Sequence, residues 1–136
     1  MPNAKAVAEI PWRGKYKVDL NNPTATYLNN PALIFSITKN LKLLLTVIEI
    51  THLGNQSTAN KTIKVVHRTS PPAHDPNAGA YDWDYEIATY TGNSEDKIFN
   101  ESHFEKIYIL PGDSLIIYWD NTYDATANVT ITFRQV

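Results

Sequence analysis

The chain has no cysteine, only five glycines and a single methionine among its 136 residues. Without cysteine, neither a disulfide nor a thiolate metal site can form. The few glycines provide no glycine-rich phosphate loop, and no apolar run approaches the ~18 residues that a membrane-spanning helix needs. The first residues, Met-Pro-Asn-Ala-Lys, contain no apolar signal core, so we expect neither export by a signal peptide nor membrane insertion.

Strand-forming sequence is what the chain has in quantity. Hydrophobic residues make up 43% and charged residues 19%, which is the balance of a globular protein. The apolar stretches favour Ile, Val, Tyr and Phe, as strands do. We therefore predict an all-β fold, an antiparallel and jelly-roll-like β-sandwich of eight or nine strands. Residues 15–136 would form this single domain, and residues 1–14 an N-terminal arm.

Alternation of apolar and polar side chains indicates where the strands lie. The clearest case is the closing strand, where Val129, Ile131 and Phe133 alternate with polar residues. Residues 42–51 contain three consecutive leucines, yet the β-branched residues that follow predict a strand, the longest in the chain. The predicted strands are 15–20, 33–38, 42–51, 61–68, 85–91, 97–100, 104–110, 114–119 and 129–134.

Residues 104–119 organise the rest of the chain, and we predict a hairpin there with Pro111-Gly112-Asp113 at its apex. Proline presets φ, glycine accepts a positive φ, and aspartate bonds nearby backbone amides. Both faces of the second strand are apolar, which suits either a central strand of the core or a strand covered by a partner chain. In the second case, a partner interface would comprise Trp12, Arg13, Leu115, Ile117 and Trp119.

Charge is distributed unevenly along the chain, although the net charge is only −2. Residues 1–68 contain nine Lys/Arg and three Asp/Glu, whereas residues 69–136 contain three Lys/Arg and eleven Asp/Glu. Either solvated faces balance within one molecule, or neighbouring copies are complementary head to tail. The basic residues are interleaved with strands in a mildly acidic chain, which argues against nucleic-acid binding.

The longest irregular segment, residues 70–84, ends in aromatic residues and carboxylates. Long loops in compact domains are often functional. Aromatic faces flanked by acids can bind sugars through stacking and hydroxyl hydrogen bonds. The candidate glycan contacts are Tyr81, Trp83, Tyr85 and Tyr123.

No catalytic centre is predicted. The four histidines lack the close spacing of a cupin-type metal site, and no Gly-x-Ser-x-Gly surrounds Ser114. Four carboxylates near the long loop could gather around calcium, but their spacing matches no EF-hand loop; they are Asp75, Asp82, Asp84 and Glu86. We expect no enzyme activity, no cofactor and no resident metal.

Two motifs carry a resemblance to a known family. Residues 48–55, Ile-Glu-Ile-Thr-His-Leu-Gly-Asn, end a strand before a polar loop and a return strand. Residues 108–118 read Tyr-Ile-Leu-Pro-Gly-Asp-Ser-Leu-Ile-Ile-Tyr. With Tyr27 before the turn at Pro31, this pattern resembles small β-sandwich virion proteins of tailed bacteriophages. The resemblance covers about residues 27–136, and the loop at 70–84 is longer and richer in proline than the family's pattern.

The resemblance implies a structural role rather than an enzymatic one. Proteins of this family are capsid decoration (cement) proteins or tail accessory proteins, which bind major capsid or tail proteins in virions assembled in the host cytoplasm. It also implies a small cyclic homo-oligomer, with a trimer favoured, and no membrane or nucleic-acid partner. Decoration of an assembled capsid shell is the first expectation, and a carbohydrate-binding or receptor-binding tail domain is the alternative.

Overall fold

The computed structural model describes residues 11–36, 42–54, 61–69, 84–92, 96–100, 102–103, 106–120 and 125–135. These residues form ten strands and no helix, so none of them belongs to a helix that could span a membrane. The strands are β1 (Pro11–Asp19), β2 (Thr26–Tyr27), β3 (Asn30–Ser36), β4 (Leu43–Gly54), β5 (Lys61–Arg68), β6 (Asp84–Gly92), β7 (Asp96–Phe99), β8 (Tyr108–Ile109), β9 (Ser114–Asp120) and β10 (Ala125–Gln135).

The strands build two antiparallel sheets that pack as a sandwich. The first sheet has the order β1-β10-β4-β7, with β8 also pairing with β4, and the second has the order β2-β3-β9-β5-β6. Without the two-residue strands β2 and β8, eight strands remain, and they can be counted one to eight along the chain. Their order is 1-8-3-6 in the first sheet and 2-7-4-5 in the second. This strand order is that of a jelly roll, so the predicted fold class is confirmed.

The main core lies between the sheets, where alternate residues of each strand point inward. Phe35 of β3 stacks on Phe133 of β10 with ring centroids 5.5 Å apart, which joins the two sheets at one point. Val129, Ile131 and Phe133, whose alternation marks β10 as a strand in the sequence, are all buried, and Ala127 is buried with them. The inward-facing residues of β9 and β10 are Leu115, Ile117, Trp119, Ala127, Val129, Ile131 and Phe133.

A second apolar cluster lies on the outer face of the second sheet. It contains Tyr27, Ala32, Val66, Ile116 and Tyr118, all buried. This cluster explains why both faces of β9 are apolar, because β9 is central in its sheet and is covered on both sides within one chain.

The predicted hairpin of residues 104–119 is wrong in one respect. A turn does form, because the Asp113 N–H donates to the Leu110 carbonyl at 2.9 Å and Gly112 has φ of 90°. However, β8 pairs with β4 in the first sheet, whereas β9 pairs with β3 and β5 in the second. Since Ile109 and Leu115 both point into the core, the turn carries the chain from one sheet to the other.

The first strand begins earlier than the sequence predicts. β1 starts at Pro11 and pairs with β10 as far as Asp19, so residues 11–14 belong to the sandwich rather than to an arm. Proline fits here because β1 is an edge strand and Pro11 is its first residue. Residues 1–10 of the predicted arm lie outside the described residues.

Candidate interaction face and its supporting polar contacts

The outer face of the first sheet carries a row of four exposed cations along one edge. Arg13, Lys15 and Lys17 occupy alternate positions of β1, opposite to the buried Val18, so their side chains point away from the core. Arg134 of β10 lies opposite Pro11 and continues the row by one step. Successive positions are about 6.8 Å apart, and no ion pair joins any of the four to an acid within the part of the chain that the structure describes.

The other edge of the same face is acidic and apolar. Glu49 of β4 and Asp96 of β7 are exposed there, together with Ile98, which is 52% exposed. The register places all three on the outer face, because Thr130 pairs with Glu49, Glu49 with Ile98, and Thr51 with Asp96. One sheet surface therefore has a basic edge and an acidic edge, separated by the threonine and asparagine side chains of β10.

A shallow depression of about 410 Å³ interrupts the basic edge. It lies between β1 and β10, and its lining is Lys15, Tyr16, Lys17, Asn128, Val129 and Thr130. A carboxylate that entered this depression would meet two ammonium groups and, from Asn128 and Thr130, an amide and a hydroxyl. These groups can form ion pairs and hydrogen bonds with a carboxylate.

A buried ion pair closes the base of the segment between β5 and β6. Arg68 and Asp84 are register partners at the ends of these strands. The guanidinium donates through Nε to Asp84 Oδ1 at 2.6 Å and through Nη2 to Oδ2 at 2.7 Å. The two side chains are only 2% and 4% exposed. This two-bond geometry is the strong form of an arginine–carboxylate contact, and it fixes both ends of the 69–83 segment to one sheet.

Tyr27 of β2 completes this cluster from the other edge of the sheet. Its hydroxyl donates to Asp84 Oδ2 at 2.8 Å, and the Arg68 guanidinium lies 5.6 Å from the centre of its ring. Burial, and then the hydrogen bond to Asp84, raises the pKa of Tyr27 far above its ordinary value. The hydrogen bonds to Asp84 raise the pKa of Arg68 as well. A neutral tyrosine and a permanently charged arginine hold this carboxylate, which makes the cluster a structural clasp.

Replacing Tyr27 with phenylalanine should destabilise the protein in a pH-dependent way. At pH 7 the variant loses the hydroxyl bond to Asp84, and we expect a loss of about 1 kcal/mol in the free energy of unfolding. Above pH ~10 the unfolded wild type gains stability by ionising this tyrosine, whereas the folded form holds it protonated. The wild type's advantage in free energy of unfolding should therefore shrink above pH ~10. Between about pH 10 and 12 the Tyr27→Phe variant should become the more stable protein. Urea unfolding at several pH values tests this, and a constant difference would contradict it.

A second buried polar contact holds the corner between β8 and β9. Asp113 Oδ2 accepts the backbone N–H of Leu110 at 3.0 Å and lies 3.0 Å from His67 Nε2. Both side chains are buried. The predicted bond from the turn aspartate to a nearby amide is also confirmed. His67 belongs to β5, so this carboxylate fixes the sheet-to-sheet turn onto the second sheet.

Replacing Asp113 with alanine should lower the free energy of unfolding by about 2 kcal/mol. The change removes at least two hydrogen bonds and leaves the His67 ring and the Leu110 amide without this acceptor. Asp96, which is exposed, provides the control, since Asp96→Ala should stay within about 0.5 kcal/mol of the wild type. If urea unfolding gave the same loss of free energy for Asp113→Ala and Asp96→Ala, the contact at the corner would contribute nothing to stability.

The residues predicted for a partner interface do not lie together. Leu115, Ile117 and Trp119 are 0% exposed in the main core, so they offer no surface to a partner of the folded chain. Their apolar character comes from the central position of β9. Arg13 is exposed on the basic edge. Trp12 pairs in register with Phe133, and its side chain lies outside what the structure describes.

The predicted glycan contacts fall mostly outside the described residues. Tyr81, Trp83 and Tyr123 lie there, as do Asp75 and Asp82 of the calcium alternative. Tyr85 is described, lies in β6 and is 58% exposed. Its role in sugar binding stays a prediction. Among the described residues, no group of three or more His, Asp or Glu side chains could hold a metal.

Sequence reasoning missed the clasp and the two-edged face. In the sequence, Asp84 is interpreted only as a possible calcium ligand. However, β5 ends with Arg68 and β6 begins with Asp84, and opposite charges on either side of a long segment could have indicated an ion pair. The two-edged face depends on β10 lying between β1 and β4, a long-range pairing that no local pattern contains.

No protein-family model and no curated protein matches the chain. Among solved structures it is similar to that of tomato aspermy virus determined by X-ray crystallography, with 13% sequence identity and a TM-score of 0.41. The similarity covers 93% of this chain and 78% of the viral chain.

Proposed function

We propose that the chain is a non-enzymatic structural protein of a virion, and specifically a capsid decoration protein of a tailed bacteriophage that binds the assembled shell. The observation that carries this proposal is the jelly-roll order of the two sheets. Viral capsid domains use this architecture, and lectins and cupins use it too. Because a fold does not determine function, the proposal also depends on features specific to this chain.

The two motifs that resemble phage virion proteins provide the first of these features. The segment His52-Leu53-Gly54 ends β4, and Leu110 to Leu115 forms the corner that Asp113 fixes to β5. Both motifs therefore lie where the chain leaves the first sheet. They support a scaffold that presents the outer face of the first sheet to a shell.

The second feature is the exposed charge of the first sheet. Its basic edge includes Arg13, which the sequence analysis assigned to a partner interface together with Trp12. Charge on an outer sheet face steers a protein to its partner and fixes orientation. In this proposal the major capsid or tail protein is that partner, and homo-oligomers, with a trimer favoured, bind to it.

The test is to locate the chain on particles. Virions from a culture that carries this gene are purified on a density gradient and then examined by mass spectrometry and by immunogold labelling with antibodies against the chain. We expect labelling over the capsid surface at regular stoichiometry. Labelling confined to the tail would favour the tail accessory role. Particles that contain no copy of the chain would overturn the virion proposal.

A carbohydrate-binding or receptor-binding tail domain is the second candidate. The exposed ring of Tyr85 at the free edge of β6 favours it, because an exposed aromatic face is what sugar stacking requires. In a glycan-array experiment, Tyr85→Ala should remove binding without loss of fold. An intact protein that binds no glycan on a broad array would eliminate this candidate.

A further inference from the structure

We infer that the outer face of the first sheet pairs with the same face of a second copy of this chain, about a two-fold axis that runs parallel to the strands. The inference concerns the free chain and does not depend on shell binding. Both contacts use the basic edge of this face, so a copy paired in the two-fold dimer must separate before it binds a shell as part of the expected trimer. The inference depends on the order of charges across the four strands of the sheet, which the register fixes.

Two rungs of the sheet carry the argument. One rung runs Lys15, Thr130, Glu49, Ile98 across β1, β10, β4 and β7. The next rung in the same direction runs Lys17, Asn128, Thr51, Asp96. Each rung therefore begins with an exposed lysine at the basic edge and has its carboxylate in the other half of the sheet.

The charges of a rung are too far apart to neutralise one another well. Neighbouring strands are about 4.8 Å apart, so Lys15 and Glu49 are separated by about 10 Å and Lys17 and Asp96 by about 14 Å. No ion pair joins either couple in the described part of the chain. The nearby Asp19 is already engaged, since its carboxylate accepts the backbone N–H groups of Asn21 and Asn22. The face thus presents both signs of charge to the outside.

Rotation about an axis parallel to the strands brings unlike charges together. It exchanges the left and right edges of the facing sheet but keeps every rung at its own height. Lys17 of one copy then lies over Asp96 of the other. Lys15 of one copy lies over Ile98 of the other, and the next carboxylate along that rung is Glu49. The opposite pair of contacts forms by symmetry, as in any isologous dimer. A two-fold axis across the strands would instead set lysine against lysine.

The size of the face predicts a weak dimer. Three strands of at least nine residues and the four-residue β7, about 4.8 Å apart, give a surface of about 500 Å² per copy. Two such surfaces bury about 1,000 Å², which is the size of weak, transient interfaces. The polar centre of the face and its exposed charges make association sensitive to salt. We expect a dissociation constant on the order of 100 µM at low salt.

A charge-reversal pair tests the contact without requiring any other partner. Lys15→Glu/Lys17→Glu makes the face acidic at both edges, and Glu49→Lys/Asp96→Lys makes it basic at both edges. Sedimentation velocity at about 50 mM salt should show wild-type self-association, and association at least tenfold weaker for each variant alone. A 1:1 mixture of the two variants should associate again, because each acidic edge then meets a basic one.

Glu86→Lys/Asp120→Lys is the control, with the same change in charge as Glu49→Lys/Asp96→Lys but at exposed positions of the second sheet. It should associate like the wild type, and thermal unfolding should show that every variant remains folded. Wild type that sediments as a monomer near millimolar concentration would overturn the inference. An assembly of any mass that the reversals leave unchanged would overturn it too, as would a mixture that fails to associate. None of these results bears on whether the chain is present on particles.

Discussion

Asp84→Asn should lower the free energy of unfolding by about 3–5 kcal/mol, because it leaves the Arg68 guanidinium buried without its charge partner. The carboxylate also accepts the Tyr27 hydroxyl, so the change disturbs three strands at once. A loss of this size is a large fraction of the 5–15 kcal/mol that a domain of this kind usually has. Urea unfolding of the purified variant at pH 7 measures it directly.

The same two strands contain a matched control. Lys64 and Glu86 also join β5 to β6 as an ion pair, with 3.6 Å between their charged atoms, but their side chains are 35% and 47% exposed. Glu86→Gln should therefore cost no more than about 1 kcal/mol. The comparison isolates burial, since both pairs bridge the same strands. Equal losses for Asp84→Asn and Glu86→Gln would show that the clasp is no stronger than a surface pair.

Replacing both members of the clasp separates the value of the pair from the penalty of breaking it. Arg68→Met/Asp84→Leu removes both charges and fills the space with apolar atoms. Such replacements are often neutral or stabilising, so the double variant should recover most of the stability lost in Asp84→Asn. A double variant as unstable as Asp84→Asn would show that the Arg68–Asp84 ion pair itself stabilises the fold. The loss in Asp84→Asn would then not come only from an unpaired buried charge.

The sequence allowed the strands to be predicted far better than their connections. Alternation placed Lys61–Arg68 at its observed bounds, and it marked Val129, Ile131 and Phe133 as inward-facing residues. Alternation depends only on the geometry of an extended chain, which neighbouring residues determine. Which strand pairs with which depends on contacts between distant residues, and the same alternation fits several pairings.

The corner at Asp113 shows where local reasoning stops. The turn chemistry of Pro111-Gly112-Asp113 was predicted correctly, since φ preference and aspartate bonding are local properties. A tight turn between two strands usually makes a hairpin, but here the flanking strands belong to different sheets. The partner that fixes this choice, His67, is 46 residues away from Asp113. No pattern within the turn could identify it.

The glycan and interface predictions differ in what they depend on. Aromatic residues mark sites only when they are exposed, and exposure depends on the whole fold. Trp119 and Tyr85 would be equally plausible contacts by residue type, yet one is 0% and the other 58% exposed. The candidate interaction face could not be predicted for the same reason. Its lysines and carboxylates share one face only because of the order of four strands in the sheet.

Trp119→Ala should lower the free energy of unfolding by about 3–5 kcal/mol, the usual cost of removing a large buried aromatic side chain. The indole N–H donates to His52 Nε2 at 3.0 Å across the two sheets, so the variant also leaves a buried acceptor without its donor. Trp119→Phe should lose less, because the ring remains and mainly this hydrogen bond and some volume are removed. Tyr85→Ala, at an exposed aromatic position, is the control and should change stability by no more than about 0.5 kcal/mol.

Protein concentration distinguishes a core role of Trp119 from an interface role. A side chain that stabilised an oligomer would make the loss vary with concentration, since association is linked to folding by mass action. A side chain buried within one chain makes the loss the same at every concentration. Chemical unfolding at about 1 µM and 100 µM therefore decides the matter. A Trp119→Ala protein that unfolds like the wild type at 1 µM, but assembles less well at 100 µM, would return this residue to the partner interface that the sequence analysis predicted.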